Sequence, residues 1–175
     1  ATMVNKALEV IEAKYLFNLH EDQINAIIHP QAIIHAMVHY KNGITTALMS
    51  KPDMRIPISS LFFNFDSYYK QNEQFNLLDY SNLEFEPINT RRFPAMKLGR
   101  EVMKMGGLAP HAFNYLNEIL VNKFLNGSIN FIDIVNLNET NLEKIFRQNR
   151  NIINPKLLDI KNINKWIDNN VYLGS

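Results

Sequence analysis

The sequence predicts an α+β protein in which a mixed segment containing a β-hairpin precedes a C-terminal helical bundle. Two changes of pattern along the chain support this fold class. Residues 33–49 alternate around the dipeptide Asn42-Gly43, as two strands joined by a tight turn do. From Arg91 onward, apolar residues recur with the period of an α-helix instead.

Composition narrows the class of protein before any motif is considered. The 175 residues are enough for one large domain or two small ones, with 46% hydrophobic and 20% charged residues. A net charge of +1 argues against a dedicated nucleic-acid binder. The chain has no cysteine, which excludes disulfides, thiolate catalysis and zinc-thiolate sites. No apolar run approaches the roughly 18 residues of a membrane span, so we expect no membrane partner.

The first element is predicted to be a helix over residues 2–17. Met3, Ala7, Leu8 and Ile11 form an apolar stripe at helical spacing. The polar region that follows Asn18 should end the helix.

Three polar residues share another sector of this helix near its N-terminus. Asn5 and Glu9 are four residues apart, and Lys6 and Glu9 are three apart, so they are neighbours on a helix surface. Free N–H groups and the positive end of the helix dipole suit a phosphate there, and Lys6 could add a charge to it. Glu9 could hold a divalent cation. An ordinary surface helix with one Lys–Glu pair explains the same spacing.

The segments that follow the first helix have the sequence patterns of strands. Residues 24–29 predict a short buried strand that Pro30 ends. Residues 33–40 and 44–49 predict the two strands of the hairpin, and Asn42-Gly43 favours a type I′ turn between them.

Two histidines of the hairpin are candidate metal ligands. On a helix, His35 and His39 would be close enough to share zinc. On a strand they lie about 13 Å apart, which forbids one shared ion. We therefore reject a site made of histidines alone, and His35 is left as either a hydrogen-bonded structural residue or a pocket-lining one.

The middle of the chain contains a turn, a short helix and a linking region. Asp53 is a possible N-cap for a helix from Met54 onward, with Pro57 tolerated in its first turns. The ordinary role for Met54 is to fill a core gap. Residues 66–82 look like a link between domains, and residues 83–87 alternate like a short strand.

The last part of the chain predicts four helices. The first begins near Pro94 and ends at Gly106-Gly107, and Pro110 opens the second. The others cover residues 131–146 and 155–170. Short connections between amphipathic helices are typical of a bundle.

Several motifs of this chain, taken in one order, closely resemble the 1-deoxy-D-xylulose 5-phosphate reductoisomerase family. The resemblance covers about residues 1–146 and fades after Gln148. The matching segments are Ala1-Thr2-Met3-x-Asn5-Lys6-x-Leu8-Glu9-x-Ile11-Glu12-Ala13, His29-Pro30-Gln31-x-Ile33-Ile34-His35-x-Met37-Val38, Pro52-Asp53-Met54-Arg55-x-Pro57-Ile58, Phe93-Pro94, Lys97-Leu98, Gly106-Gly107, Leu116-Asn117-Glu118, Phe124-Leu125 and Phe131-x-Asp133-Ile134.

The resemblance implies a place for the chain within a longer enzyme. In this family an NADPH-binding domain comes first, a catalytic domain second and a helical domain last. The chain would then be the remnant of an α/β catalytic domain over residues 1–63, a linking region over 64–90 and the C-terminal helical domain over 91–175. It would lack the NADPH domain, and its six glycines form no dinucleotide-binding loop.

The activity implied by the resemblance belongs to isoprenoid precursor synthesis by the non-mevalonate pathway. The enzyme rearranges 1-deoxy-D-xylulose 5-phosphate and reduces the product to 2-C-methyl-D-erythritol 4-phosphate, using NADPH and Mg²⁺ or Mn²⁺. The family motif places Asn5, Lys6 and Glu9 at the phosphorylated sugar, with Glu9 also a metal ligand. It places His35 and Met54 along the pocket. A homodimer in the bacterial cytoplasm or a plastid is implied for the complete enzyme.

Two departures and two alternatives stay open from the sequence. Ala32 replaces a common serine, and Leu48 stands where glutamine is frequent, so the supposed pocket loses a hydroxyl and an amide. A non-catalytic interaction module derived from the enzyme is one alternative function. An unrelated small-anion-binding α+β protein that uses the helix end at Asn5 and Lys6 is the other. We expect the chain alone to be inactive.

Overall fold

A computed structural model describes residues 2–62, 75–148 and 150–173 of the chain. Within these residues it contains six α-helices, four strands and two short 3₁₀ turns. The helices are α1 Val4–Phe17, α2 Arg55–Phe62, α3 Pro94–Met105, α4 Ala109–Leu125, α5 Asp133–Arg147 and α6 Leu157–Asn170, and the strands are β1 Ile27–Ile28, β2 Ile34–His39, β3 Thr45–Met49 and β4 Glu86–Pro87. The α+β class predicted from the sequence is confirmed.

Contacts divide the chain into two compact units. The first, the helical unit, joins the residues up to Ala26 with those from Ile88 onward. The second, the hairpin unit, is Ile27–Pro87. Helix α1 therefore belongs with α3–α6, which the sequence pattern did not indicate. The division at residues 63 and 90 that the resemblance implies stays a prediction.

The core of the helical unit forms where α1, α3 and α4 meet. Helix α1 begins at Val4, two residues later than predicted, and ends at Asn18 in a left-handed conformation. Its buried face is Val4, Ala7, Val10 and Ile11. Burying this apolar stripe, rather than helix propensity alone, stabilises such an element.

The four predicted C-terminal helices are present. Pro94 and Pro110 lie in the first turns of α3 and α4, where a missing N–H group costs nothing. On α4, Phe113, Leu116 and Leu120 are buried, at the i, i+3 and i+7 spacing of one helical face. A strand in this part of the chain would have contradicted the bundle, and residues 113–124 are helical instead.

One buried polar side chain fixes the end of the chain. Asn141 on α5 is 3% exposed. Its Nδ2 donates to the backbone oxygen of Tyr172 at 2.9 Å, and its Oδ1 accepts from the Tyr172 N–H at 2.7 Å. Because both amide groups are paired, the burial costs little, and the segment after α6 is held against α5.

The hairpin unit contains the predicted β-hairpin. Strands β2 and β3 pair antiparallel, with Val38 opposite Thr46 and His39 opposite Thr45. The register shifts between Ile34 and Ala36, which marks an irregularity at the open end. The prediction of two strands around Asn42-Gly43 is confirmed.

The predicted type I′ turn is wrong. That turn needs positive φ at both central residues, whereas Gly43 has φ 86° and Asn42 is not among the residues with positive φ. The Tyr40 N–H donates to Ile44 O at 2.8 Å, and the Gly43 N–H donates to Tyr40 O at 3.0 Å. The connection is thus a three-residue loop that ends in a left-handed glycine.

The strand predicted over residues 24–29 is mostly wrong. Only Ile27–Ile28 is a strand, and it pairs antiparallel with Glu86–Pro87. Ile24 instead packs into the core of the helical unit. The strand predicted over residues 83–87 likewise shortens to β4.

Residues 63–74, which include the start of the linking region predicted over 64–90, lie outside the described residues. In the described part of the chain, no helix has the length and apolar character needed to cross a membrane.

Candidate functional site

The N-terminal end of α1 carries the predicted anion-binding residues. Met3 precedes the helix with φ 64°, and the first intrahelical bond runs from the Ala7 N–H to Met3 O at 3.0 Å. Asn5 and Lys6 occupy the second and third helical positions, where N–H groups have no intrahelical acceptor. The N-cap side chain makes no hydrogen bond to this end, and Thr2 Oγ1 accepts from the first N–H of the helix at 3.4 Å. Free donors and the positive end of the helix dipole therefore meet here.

The polar sector of α1 faces away from the core. Asn5 and Glu9 are exposed and Lys6 is partly buried, whereas the neighbouring Val4 and Ala7 are buried. The rotation of the helix that buries its apolar stripe therefore presents these three side chains together. This is the juxtaposition that the i, i+3 and i, i+4 spacing predicted.

An ion pair joins two of the three residues. Lys6 Nζ donates to Glu9 Oε2, and the two side chains are 44% and 57% exposed. An exposed pair of this kind contributes about 0–1 kcal/mol to stability. Because the ion pair contributes so little to the stability of the fold, stability alone does not explain why both residues lie at a helix end.

The carboxylate of Glu9 fits one position of a magnesium site. Mg²⁺ is commonly held by one or two carboxylates together with water and substrate oxygens. In the parts of the chain that the structure describes, no group of three or more histidine or acidic side chains converges on one point. These residues therefore offer a single hard ligand, and further ligands would have to come from elsewhere.

His35 is held by a defined hydrogen bond within the hairpin unit. Its Nε2 lies 2.8 Å from Ser50 Oγ, and Ser50 Oγ donates to Lys51 O at 3.0 Å. A hydroxyl has one proton to give, so Nε2–H must donate to Ser50. In the neutral ring, Nδ1 is then the acceptor. This supports the structural role, and a place along the substrate pocket stays a prediction.

Met54 precedes α2 in a turn that Asp53 organises. Its side chain is 59% exposed, so the interpretation that it fills a core gap is wrong. Asp53 accepts from the Arg55 N–H at 3.0 Å and from the Arg55 guanidinium at 2.6 Å. Those hydrogen bonds hold the pKa of the Asp53 carboxyl below its usual value. The helix begins one residue later than predicted.

The two departures that remove a polar group, Ala32 and Leu48, are exposed residues. Ala32 ends a turn in which its N–H donates to His29 O at 3.0 Å, and it has φ 52°. Leu48 lies on β3 opposite Ala36 and is 56% exposed. Neither side chain is part of the core.

Sequence reasoning missed two supporting residues. Ser50, the partner of His35, follows from the hairpin register, because the Ser50 N–H donates to Ile33 O at 3.0 Å. Gly99 lies against Ala7 of α1. This contact joins residues far apart in the chain, and no local pattern indicates it.

An apolar cleft of about 310 Å³ lies elsewhere in the helical unit. It is lined by Tyr15, Gly107, Leu108, Pro110, His111, Ile153, Pro155 and Ile160. Tyr15 belongs to the last turn of α1, so the cleft is at the opposite end of that helix from Asn5. None of the residues predicted to bind substrate lines it.

Comparison with known proteins finds one matching family. A family model described as the DXP reductoisomerase C-terminal domain matches residues 49–169. The 1-deoxy-D-xylulose 5-phosphate reductoisomerase of Desulforamulus reducens is 39% identical over 166 residues, which are 95% of this chain and 42% of that protein. The corresponding protein of Caulobacter vibrioides is 43% identical over 145 residues, 83% of this chain and 36% of that protein.

Solved structures agree with the sequence matches. The Zymomonas mobilis reductoisomerase in complex with NADPH is similar with a TM-score of 0.83 and 35% identity, over 95% of this chain and 43% of that one. A reductoisomerase in complex with NADPH, fosmidomycin and magnesium gives a TM-score of 0.85 at 31% identity, over 97% and 43%. The chain therefore spans less than half the length of the relatives it matches.

Proposed function

Since this chain belongs to the 1-deoxy-D-xylulose 5-phosphate reductoisomerase family, we propose that it forms the C-terminal part of such an enzyme. The complete protein would convert 1-deoxy-D-xylulose 5-phosphate to 2-C-methyl-D-erythritol 4-phosphate by isomerisation and reduction. Family membership removes the alternative of an unrelated anion-binding protein. The alternative of a non-catalytic module derived from the enzyme is decided by the assays below.

The observation that carries this proposal is the polar end of α1. Asn5 and Lys6 present side chains beside unpaired backbone N–H groups at the positive end of a helix dipole. A phosphate group or an adjacent hydroxyl of the sugar is the chemistry that this end recognises. Asn5 supplies an amide to it, and Lys6 supplies a positive charge.

Glu9 would hold the divalent cation one turn further along. When bound, Mg²⁺ or Mn²⁺ polarises the substrate oxygens that it contacts. Lys6 neutralises Glu9 through their ion pair. With a cation held by Glu9, Lys6 would be available to the phosphate, so neither charge would be left without a partner.

We propose the cofactors from those bound in structures of similar proteins. Structures of reductoisomerases similar to this chain were determined with NADPH and with magnesium. We assign NADPH to a preceding domain that is not part of these 175 residues, and we assign magnesium or manganese to Glu9 with ligands from outside the chain. The proposed division is a catalytic remnant over 1–63, a link over 64–90 and a helical domain over 91–175.

Other parts of the assignment rest on the family motif. His35 and Met54 would line the substrate pocket, with Ser50 fixing the His35 tautomer. A homodimer is proposed for the complete enzyme, in a bacterial-type cytoplasm or a plastid. No nucleic-acid or membrane partner is proposed.

Lys6→Ala in the complete enzyme should raise the KM for the phosphorylated substrate by about 10- to 100-fold, since a charge-assisted contact is worth about 1.5–3 kcal/mol. Turnover at saturating substrate should change far less, because the phosphate ester itself is retained in the product. Steady-state kinetics with NADPH oxidation as the signal measures both.

Lys97→Ala is the matched control for this variant. Lys97 also forms an exposed ion pair on a helix, with Glu101 at 3.6 Å. Its removal should leave KM unchanged. An unchanged KM in Lys6→Ala as well would refute the phosphate assignment.

The isolated 175-residue chain should neither bind NADPH nor oxidise it. Its sequence has no Gly-rich dinucleotide loop, and the described residues bring no group of three or more metal-binding side chains together around Glu9. Fluorescence titration with NADPH and the standard turnover assay test this, with the complete enzyme as positive control. Turnover by the chain alone would contradict the proposed division of roles.

A further inference from the structure

Helices α1 and α3 approach each other unusually closely at one point. A Cβ atom built on Gly99 of α3 would lie 2.6 Å from the Ala7 Cβ and 3.5 Å from its Cα. Non-bonded carbon atoms are comfortable at about 3.5–4.0 Å. The spacing of the two helices therefore depends on the absence of a side chain at Gly99.

The contact occurs at the turn of α1 that carries the proposed ligands. Ala7 follows Lys6 directly and lies between Asn5 and Glu9 in sequence. It is 2% exposed, whereas Asn5 and Glu9 are exposed and Lys6 is partly buried. Any displacement of α1 at Ala7 consequently moves Asn5, Lys6 and Glu9 as one rigid group.

The far end of the helix is fixed independently. Lys14 Nζ donates to the backbone oxygen of Met103 at 3.2 Å, in the last turn of α3. Because this end is tied, forcing the helices apart at Ala7 would tilt α1 about its C-terminal half. The largest movement would then fall on the N-terminal turn.

We propose that Gly99 is a positioning residue for the phosphate and metal ligands of α1. The inference rests on the proposed function and adds a residue to it that does not contact the substrate. A methyl group at Gly99 requires a separation larger by about 1 Å at the contact. Misplacement of catalytic groups by about 1 Å can lower a rate by roughly 10²-fold.

If only local helix stability mattered, replacing Gly99 by alanine would be expected to stabilise the protein rather than to impair it. Glycine inside a helix is less favourable than alanine, because it loses more backbone freedom on folding. Gly99→Ala taken alone should then stabilise α3. A loss of function in this variant must come from the contact with Ala7.

The test is a reciprocal exchange of one methyl group in the complete enzyme. Gly99→Ala should lower kcat/KM by about 100-fold and raise the metal concentration needed for half-maximal rate. The double variant Ala7→Gly with Gly99→Ala moves the methyl group from α1 to α3 and should recover kcat/KM to within about threefold of the wild type, because the clash is gone.

A second readout avoids catalysis. In the 175-residue chain, titration with inorganic phosphate should shift the amide NMR signals of Asn5 and Lys6. The shifts should weaken in Gly99→Ala and return in the double variant. Asn141→Ala, which loses the bonds to Tyr172, is the control for destabilisation alone: its melting temperature should fall while kinetics and phosphate binding stay unchanged.

Several outcomes would overturn the proposal. Gly99→Ala with a lower melting temperature but unchanged kcat/KM, metal dependence and phosphate shifts would make the contact merely structural. If Gly99→Ala does not fold, Ala7→Gly alone decides: removing the methyl group that sets the spacing should lower kcat/KM at least threefold, and an unchanged value refutes positioning. If Lys6→Ala itself leaves KM unchanged, the function proposed for α1 has failed instead.

Discussion

Glu9→Gln in the complete enzyme is expected to lower turnover by about 10³-fold at a magnesium concentration that saturates the wild type, since metal polarisation of substrate oxygens is worth several kcal/mol. Glutamine keeps the size of the side chain but removes its negative charge, and magnesium prefers charged oxygen ligands. The KM for substrate should change much less than turnover, because Asn5 and Lys6 are untouched.

The measurement is the rate as a function of Mn²⁺ and of Mg²⁺ concentration for wild type and variant. Glu12→Gln is the matched control, because Glu12 is an exposed carboxylate one turn further along the same helix. It should behave as wild type. A wild-type rate and metal dependence in Glu9→Gln would show that Glu9 is only a surface partner of Lys6.

Gly107→Ala is expected to cause the largest loss of stability in the helical unit. Gly107 has φ 58°, and an added Cβ would lie 2.3 Å from Ile152 O and 2.8 Å from Ile153 Cα. Left-handed backbone costs alanine about 1–2 kcal/mol, and overpacking adds about 1–3 kcal/mol. The neighbouring Leu108 N–H, which donates to Ile152 O at 3.0 Å, would be displaced as well. The melting temperature should fall by roughly 10 °C for a chain of this size.

Gly127→Ala separates the two contributions. Gly127 has φ 72° after α4, but an added Cβ would meet nothing within 4 Å. This variant should suffer the backbone cost alone and lose only about 2–8 °C. Thermal unfolding followed by circular dichroism gives both values. Equal losses in the two variants would mean that the close approach of Gly107 to Ile152 has no energetic weight.

Local patterns in the sequence were sufficient for the elements whose partners are near in the chain. Alternation in β2 and β3 and the prolines at the starts of α3 and α4 report directly on backbone geometry. Asn-Gly suits several types of turn, and the hydrogen bond from the Tyr40 N–H to Ile44 O, which lies outside the dipeptide, selects the three-residue loop over the type I′ turn. The apolar run around Ile24 predicts that this residue is buried. It does not identify the element that buries it, which is the core of the helical unit rather than a sheet.

The candidate site shows the same limit. The spacing of Asn5, Lys6 and Glu9 predicts that they share a sector, and α1 places them so. The roles of these residues came from the resemblance to a family, since an exposed Lys–Glu pair on a helix has no chemistry of its own. The sequence around Gly99 does not predict its role. A glycine in a helix indicates that another segment approaches closely, but it does not identify that segment.

The grouping of α1 with helices from the other end of the chain has a consequence for synthesis on the ribosome. Lys14 and its acceptor Met103 are 89 residues apart, with the whole hairpin unit encoded between them. At about 5–20 residues per second, α1 emerges roughly 5–20 seconds before α3 can cover it. During that interval the stripe of Val4, Ala7, Val10 and Ile11 has no α3 to pack on, so the newborn chain is most exposed to chaperones and to aggregation at the helix on which we propose the site.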